Sequence, residues 1–208
     1  MFSILQAAGW PIWPLVAFSV LAMALVIERF INLQTIKVAP PKLLDEVLAV
    51  TRSSVPGPDV VIRLEQNSAL GEVLAAGLRG LNTNPKCSQE ELRAIMEAAG
   101  RLVAHRLERY LSALATIASV APLMGLFGTV VGMIEIFGSQ PTSTSMGGNP
   151  AQLAHGISVA LYNTAFGLIV AIPSLIFWRY FRARVDEYLL TLELAAERLA
   201  RHLHTLRK

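Results

Sequence analysis

A single cysteine, Cys87, is all the thiol that this 208-residue chain carries, so no internal disulfide can staple it. Its place in a polar turn fits a reducing compartment. Formal charge is missing over long stretches. None occurs before Glu28, and Glu135 is the one charged side chain between Ser112 and Trp178. Runs of that kind, with 53% hydrophobic residues and a mean hydropathy of +0.49, point away from a soluble domain and toward a membrane protein. The net charge is only +3, and the basic residues flank apolar runs instead of forming a stripe with aromatics. That excludes a nucleic-acid surface. The chain has no G-x-x-x-x-G-K-[ST], no H-E-x-x-H and no paired cysteines, hence no recognisable phosphate loop or zinc site. Gly125 to Gly132 (GLFGTVVG) is rich in glycine but lies inside an apolar run with no strand before it. His202 and His204 stand two apart on a helical pattern and read as solvated tail residues, and His155 reads as interfacial. An enzyme is not expected, and no cofactor is implied.

The chain holds three apolar runs. Two of them, Leu111 to Phe137 and Leu153 to Trp178, flank a polar patch, SQPTSTSMGGNP. Each exceeds the roughly 20 residues that a helix needs to cross a bilayer. Neither alternates as a barrel strand would, so they predict a transmembrane helical hairpin. The third precedes Glu28. It lacks the basic n-region and cleavage site of a signal peptide, so it is expected to stay as a first span. Trp10 and Trp13 would then sit in an interfacial belt. All 18 Lys and Arg fall in two blocks, Arg29 to Arg109 and Arg179 to Lys208. The positive-inside rule therefore puts the N-terminus and the short loop outside and both blocks in the cytoplasm. The expected fold is an all-α integral membrane protein with spans over 1–33, 112–138 and 151–178. A cytoplasmic helical region covers 34–111, a periplasmic loop 139–150 and a cytoplasmic helical tail 179–208.

At 100° per residue, Ala118, Ala121, Pro122, Gly125, Thr129 and Gly132 share one face of the second span. Gly156, Ala160, Asn163, Thr164, Gly167, Ala171 and Ser174 share an arc of the third. Lipid tails are as apolar as leucine, so helices in membranes associate through small residues that admit close approach. These faces read as packing seams and as an assembly surface between copies. The polar members, Thr129, Thr164 and Asn163, also suit a narrow polar path, because intramembrane polar groups default to function. A hydroxyl can solvate a carboxylate or a water wire without ionising. Glu135, near the outer end of the second span, reads equally as a proton-entry group or as an interfacial anchor. Pro122 and Pro173 each remove a helix hydrogen bond, shaping a bend or a plain kink.

Between the first and second spans the pattern is of helices and turns. Lys42 to Val50 is amphipathic, SSVPGP breaks it, Asp59 is expected to cap a short helix, and Leu70, Val73, Leu74 and Leu78 share one face. Ser88 and Glu91 form an S-x-x-E capping box. With no proline before Pro122, one uninterrupted helix is expected from there into the second span. Leu189, Leu192, Leu199 and Leu203 give the tail a three-to-four spacing, extending the cytoplasmic bundle.

APLMGLFGTVVGMIEIF (Ala121 to Phe137) and HGISVALYNTAFGLIVAIPSLIF (His155 to Phe177) resemble the signatures of the proton-channel family that includes ExbB, TolQ and MotA. The three-span layout is similar to the ExbB and TolQ branch. That resemblance implies a pentamer in the bacterial inner membrane. Its pore would enclose a single-span, aspartate-bearing subunit of the ExbD or TolR kind. Proton flow would then drive an envelope-spanning partner such as TonB or TolA. One position departs: where many members place a glutamate between the Gly-Ile-Ser and Ala-Leu motifs, this chain has Val159. A flagellar-type stator and a non-conducting oligomeric scaffold are the alternative functions.

Overall fold

The computed structural model describes residues 10–53, 56–138 and 150–205, and every regular element among them is helical. In chain order these are α1 (Ile12–Asn32), α2 (Thr35–Val38), α3 (Leu43–Ser53), α4 (Pro58–Asn67), α5 (Ala69–Thr83), α6 (Gln89–Glu108), α7 (Leu111–Gly138) and α8 (Pro150–Thr205). The polar patch after Gly138, but for Pro150 at the start of α8, lies outside the described residues. Three stretches are long and apolar enough to cross a membrane, within α1, α7 and α8. The protein is an all-α membrane protein.

The chain divides into two units. The first combines α1 up to Glu28 with Tyr110–Arg179. Here the helices are apolar nearly all round, with Val20, Leu123, Leu126, Ile134, Ile169, Ile172 and Ile176 exposed. Water would penalise such a surface, and lipid does not. Much of what faces inward is small. Along α7, Leu114, Ile117, Ala118, Ala121, Gly125 and Gly128 are buried; along α8, Ala160, Asn163, Gly167, Val170, Ala171 and Ser174 are. Trp10 stacks edge-on against Phe127 at 6.0 Å between centroids.

The second unit combines Arg29–Arg109 with Tyr180–Lys208. α4 packs on α5 and α5 on α6. The face expected from Leu70, Val73, Leu74 and Leu78 is buried throughout. The α8 tail buries Phe181, Val185, Tyr188, Leu192, Ala195, Leu199 and Leu203 at spacings of four and three, alternating as far as Leu199, a coiled-coil-like seam. Leu189 falls just beside this stripe and is half-buried. His202 is likewise half-buried, not solvated, because it flanks Leu199 and Leu203; its Nε2 is enclosed without a hydrogen-bond partner among the described residues.

Local capping explains the helix starts. Ser88 Oγ accepts from the Glu91 amide at 3.1 Å, and the Ser88 amide donates to Glu91 Oε2 at 2.9 Å, completing the capping box. That amide, with Cys87 in support, holds the Glu91 carboxyl below the usual carboxylate range. Ser68 caps α5 by accepting from the Gly71 amide at 3.0 Å. Asp59 does not cap α4. Gly57 takes the N-cap position and Pro58 the first turn, so Asp59 falls inside the helix, where its charge still favours the N-terminal dipole.

The helix expected to run unbroken from Ser88 into the second span is interrupted. α6 ends at Glu108, and Tyr110 adopts a left-handed backbone with φ 68°. No glycine or proline marks this point, so local propensity predicts continuation. The end is stabilised from a distance. Buried Arg29 donates from Nη1 to the Leu107 carbonyl at 2.9 Å, satisfying one of the carbonyls that a helix end orphans and opposing the negative pole of its dipole. Arg182 adds an ion pair to Glu108 at 2.8 Å.

Two sets of substitutions test this description. Arg29→Gln should lower the stability of the second unit by about 1.5–3 kcal/mol, the worth of a hydrogen bond to a charged group, read by chemical denaturation in detergent. A β-carbon on Gly125 would stand 2.8 Å from the Asn163 carbonyl oxygen and 3.0 Å from Thr164 Cα, both backbone atoms that cannot yield. Gly125→Leu should therefore cost at or above the about 1–3 kcal/mol typical of overpacking. Gly100→Ala, where a β-carbon meets nothing within 4 Å, should instead raise the melting temperature slightly.

Candidate functional site

The candidate site follows from how α7 and α8 meet. Gly125 and Gly167 bring the two backbones together, and Gly132 and Gly128 admit side chains of the facing helix. A β-carbon on Gly167 would stand 2.6 Å from the Ala121 carbonyl oxygen and 3.1 Å from Gly125 Cα, and one on Gly132 would stand 3.3 Å from the Ala160 β-carbon. Gly128 leaves room for a side chain: its missing β-carbon would lie 2.8 to 2.9 Å from Asn163 Cβ, Cγ and Nδ2. The Asn163 amide thus occupies the space that Gly128 vacates, deep in the seam and 2% exposed. Ser174, also buried, returns its hydroxyl to the Val170 carbonyl at 2.7 Å.

The residues singled out in the sequence fall into three places. Ala121, Gly125, Gly132, Ala160 and Gly167 come together in the seam between α7 and α8 of one chain, with Ala171 buried further along the same face of α8. The face expected to join copies is thus filled, over these residues, by the chain's own hairpin. Thr129, Thr164 and Pro122 are half-buried at its margin. Thr129 donates its hydroxyl to the Leu126 carbonyl at 2.6 Å, which leaves the oxygen lone pairs as acceptors. Thr164 Cα lies against Gly125, so its side chain emerges where the helices are closest. Glu135 and Pro173 are exposed, and Pro173 stands about 180° around the α8 wheel from Thr164. α8 stays helical on both sides of it. The side chains of His155 and Val159 lie outside the described residues.

Sequence reading passed over two features. Gly128 is as tightly engaged as Gly125, and its spacing of three from Gly125 was the available signal. The second is a row of exposed hydroxyls at the start of α7. Ser112, Thr116 and Ser119 all face outward. Thr116 donates to the Ser112 carbonyl at 2.9 Å and Ser119 to the Ala115 carbonyl at 3.1 Å. Spacings of four and three place them on one side of the helix. On a lipid-facing surface such hydroxyls gain nothing; beside another helix or a water path they supply acceptors.

A site of this construction has no nucleophile, no acid–base pair and, among the described residues, no group of three or more metal-ligating side chains. It offers hydroxyl and amide dipoles between closely packed membrane helices. A sequence model of the MotA/TolQ/ExbB proton channel family matches residues 65–194, well over half of the chain. The chain is 34% identical to "Putative biopolymer transport protein ExbB-like 3" of a Synechocystis species, over 86% of its own length and 83% of the relative's. It is 32% identical to "Biopolymer transport protein exbB1" of Vibrio cholerae over 81% and 73% of the two chains. It is also 32% identical to "Tol-Pal system protein TolQ" of Pseudomonas aeruginosa over 59% and 55%. With a family model matched over residues 65–194 and a relative 34% identical across most of both chains, the chain belongs to the MotA/TolQ/ExbB proton channel family.

Proposed function

We propose that this chain is the multi-span subunit of a proton-driven motor in the bacterial inner membrane, a transport component and not an enzyme. It assembles as a homo-oligomer, a pentamer by analogy with its family, around single-span subunits of the ExbD or TolR kind. Proton flow through that complex energises an envelope-spanning protein of the TonB or TolA kind. Its N-terminus lies outside and both charged blocks lie in the cytoplasm.

One observation carries the reading. The spans supply hydroxyls at the margin of the seam, at Thr129 and Thr164, yet no Asp or Glu lies between Ser112 and Trp178 except Glu135 near the outer end. A proton crossing about 30 Å of hydrocarbon needs a carrier that can be both charged and neutral. Threonine does not ionise near neutral pH, so it can solvate such a carrier but cannot be one. The carboxylate must come from a partner helix. Asn163, seated against Gly128, holds the seam in register so that the Thr164 hydroxyl keeps its place. Glu135, exposed at the outer end, suits proton entry, and Ser112, Thr116 and Ser119 extend acceptors from the other end of α7.

Thr164→Val keeps the shape of the side chain and removes the hydroxyl, so the complex with its single-span partner should purify intact. Losing one hydrogen bond to a charged carboxylate costs about 1.5–3 kcal/mol. That would raise the partner carboxyl's pKa by about one to two units and slow proton release. Partner-dependent transport should fall several-fold, and Thr164→Ser should recover much of it. Full transport by Thr164→Val would return Thr164 to a packing role.

A further inference from the structure

A cavity of about 410 Å³ lies wholly within the charged unit, where the first and third apolar runs end. One wall comes from the end of α1 and the start of α2, including Arg29, Thr35 and Ile36; the other comes from Tyr180, Phe181 and Arg184 of α8. Two guanidinium groups and no carboxylate line it. The volume falls within the about 300–1,000 Å³ of small-ligand sites.

Arg184 is held in place. Its Nη2 donates to the Tyr188 hydroxyl at 3.0 Å and to Thr35 Oγ1 at 3.3 Å, and its guanidinium lies 5.0 Å from the centre of the Tyr188 ring. Tyr188 gives its one proton to the Leu33 carbonyl at 2.9 Å, so at the 3.1 Å contact between the two hydroxyls Thr35 is the donor. Glu187 pairs with Nη1 at 2.7 Å but does not line the cavity. The fork is fixed before any ligand arrives, the condition under which arginine binds phosphate best.

The surroundings identify the ligand. Arg29 is the first cation after a run of 27 residues without charge, and Tyr180 to Arg184 follow directly on the apolar run that closes at Trp178. Both walls therefore leave the hydrocarbon within a few residues of the cavity. Phe30, Tyr180 and Phe181 cluster there, with centroids 5.0 to 6.1 Å apart. Beside them Phe30, Ile31 and Tyr180 are about half exposed, and Ile36 is 77% exposed. Aromatic rings, exposed aliphatic side chains and paired cations on one patch match the level where head groups meet acyl chains. We propose that this cavity binds the phosphate of an anionic phospholipid from the leaflet on the side of the charged blocks, with the acyl chains lying along Phe30 and Ile31. The shared chemistry is a phosphate ester, which a soluble molecule could also supply. The inference rests on the membrane character of α1 and α8 and is independent of the proton path.

The test uses the full chain purified in neutral detergent. Short-chain phosphatidylglycerol, phosphatidylcholine of equal chain length and glycerol 3-phosphate are titrated separately, read by thermal shift and by retained adducts in native mass spectrometry. Phosphatidylglycerol should bind at least tenfold more tightly than either of the others. Ile36→Glu places an anion at the mouth from an exposed position, so the lipid-free melting temperature should hold while phosphatidylglycerol affinity falls at least tenfold. Ile36→Gln should bind as the parent does, and Arg184→Gln should weaken binding by a similar factor. Undiminished phosphatidylglycerol binding by Ile36→Glu overturns the site even if Arg184→Gln fails to fold. Equal binding of phosphatidylcholine overturns the selectivity for an anion. Equal binding of glycerol 3-phosphate overturns the lipid source in favour of a soluble phosphate ester. Failure of the parent chain to bind phosphatidylglycerol, with its transport intact, would defeat this inference and leave the proposed motor standing.

Discussion

The approach of two backbones at Gly125 and Gly167 is the contact on which the membrane hairpin depends. Within a bilayer, burying apolar surface gives helices no reason to associate, since lipid solvates leucine as well as protein does. What remains is dispersion between closely spaced atoms and the few polar contacts that close spacing permits. Glycines at 125, 128 and 167 provide the spacing, and Asn163 fits into what Gly128 leaves open. The positions of Thr129 and Thr164 follow from this, since both sit half-buried at the margin of the seam.

The charged unit is held by different forces. Its helices bury aliphatic side chains on one face in the manner of a soluble bundle, and its ends are fixed by polar contacts of long sequence separation. Arg29 reaches the Leu107 carbonyl, Arg182 reaches Glu108, and Tyr188 reaches the Leu33 carbonyl. Most of the remaining ion pairs lie at the surface, as between Arg101 and Glu97 or Arg201 and Glu197, and contribute little each. One chain thus applies two solvents' rules, dispersion and small residues in lipid, hydrophobic burial and capping in water.

How much was legible follows from how local each signal is. The spans could be read because hydrophobic length is a property of a single stretch. The capping box of α6 and the buried face of α5 were legible for the same reason. The break at Arg109 and Tyr110 was not, because its stabilising contact comes from a residue about eighty positions away. Asp59 misled because a Gly-Pro pair one step earlier defines the helix start better than an acidic side chain. The small faces of α7 and α8 were visible on a wheel, but the wheel cannot say which helix covers them. Gly128 and Asn163 acquire meaning only as a pair, once the register between helices is known. The outward hydroxyls of Ser112, Thr116 and Ser119 were readable in spacing but not in direction.

Arg29 joins two events that are usually separate. As the first positive charge to follow a charge-free apolar run, it helps decide which way the chain enters the membrane during synthesis. As the buried donor to Leu107, it closes the end of α6 after the chain has been inserted. Arg29 and Leu107 lie in the one segment between the first two membrane-spanning helices, so they share a side of the membrane whichever way the chain is threaded, and the contact that closes the helix end does not depend on orientation. The same side chain thus serves two ends: its charge biases the direction of insertion, and its hydrogen bond completes the segment between the spans in either orientation, so an inverted copy would be misdirected without being unfolded there.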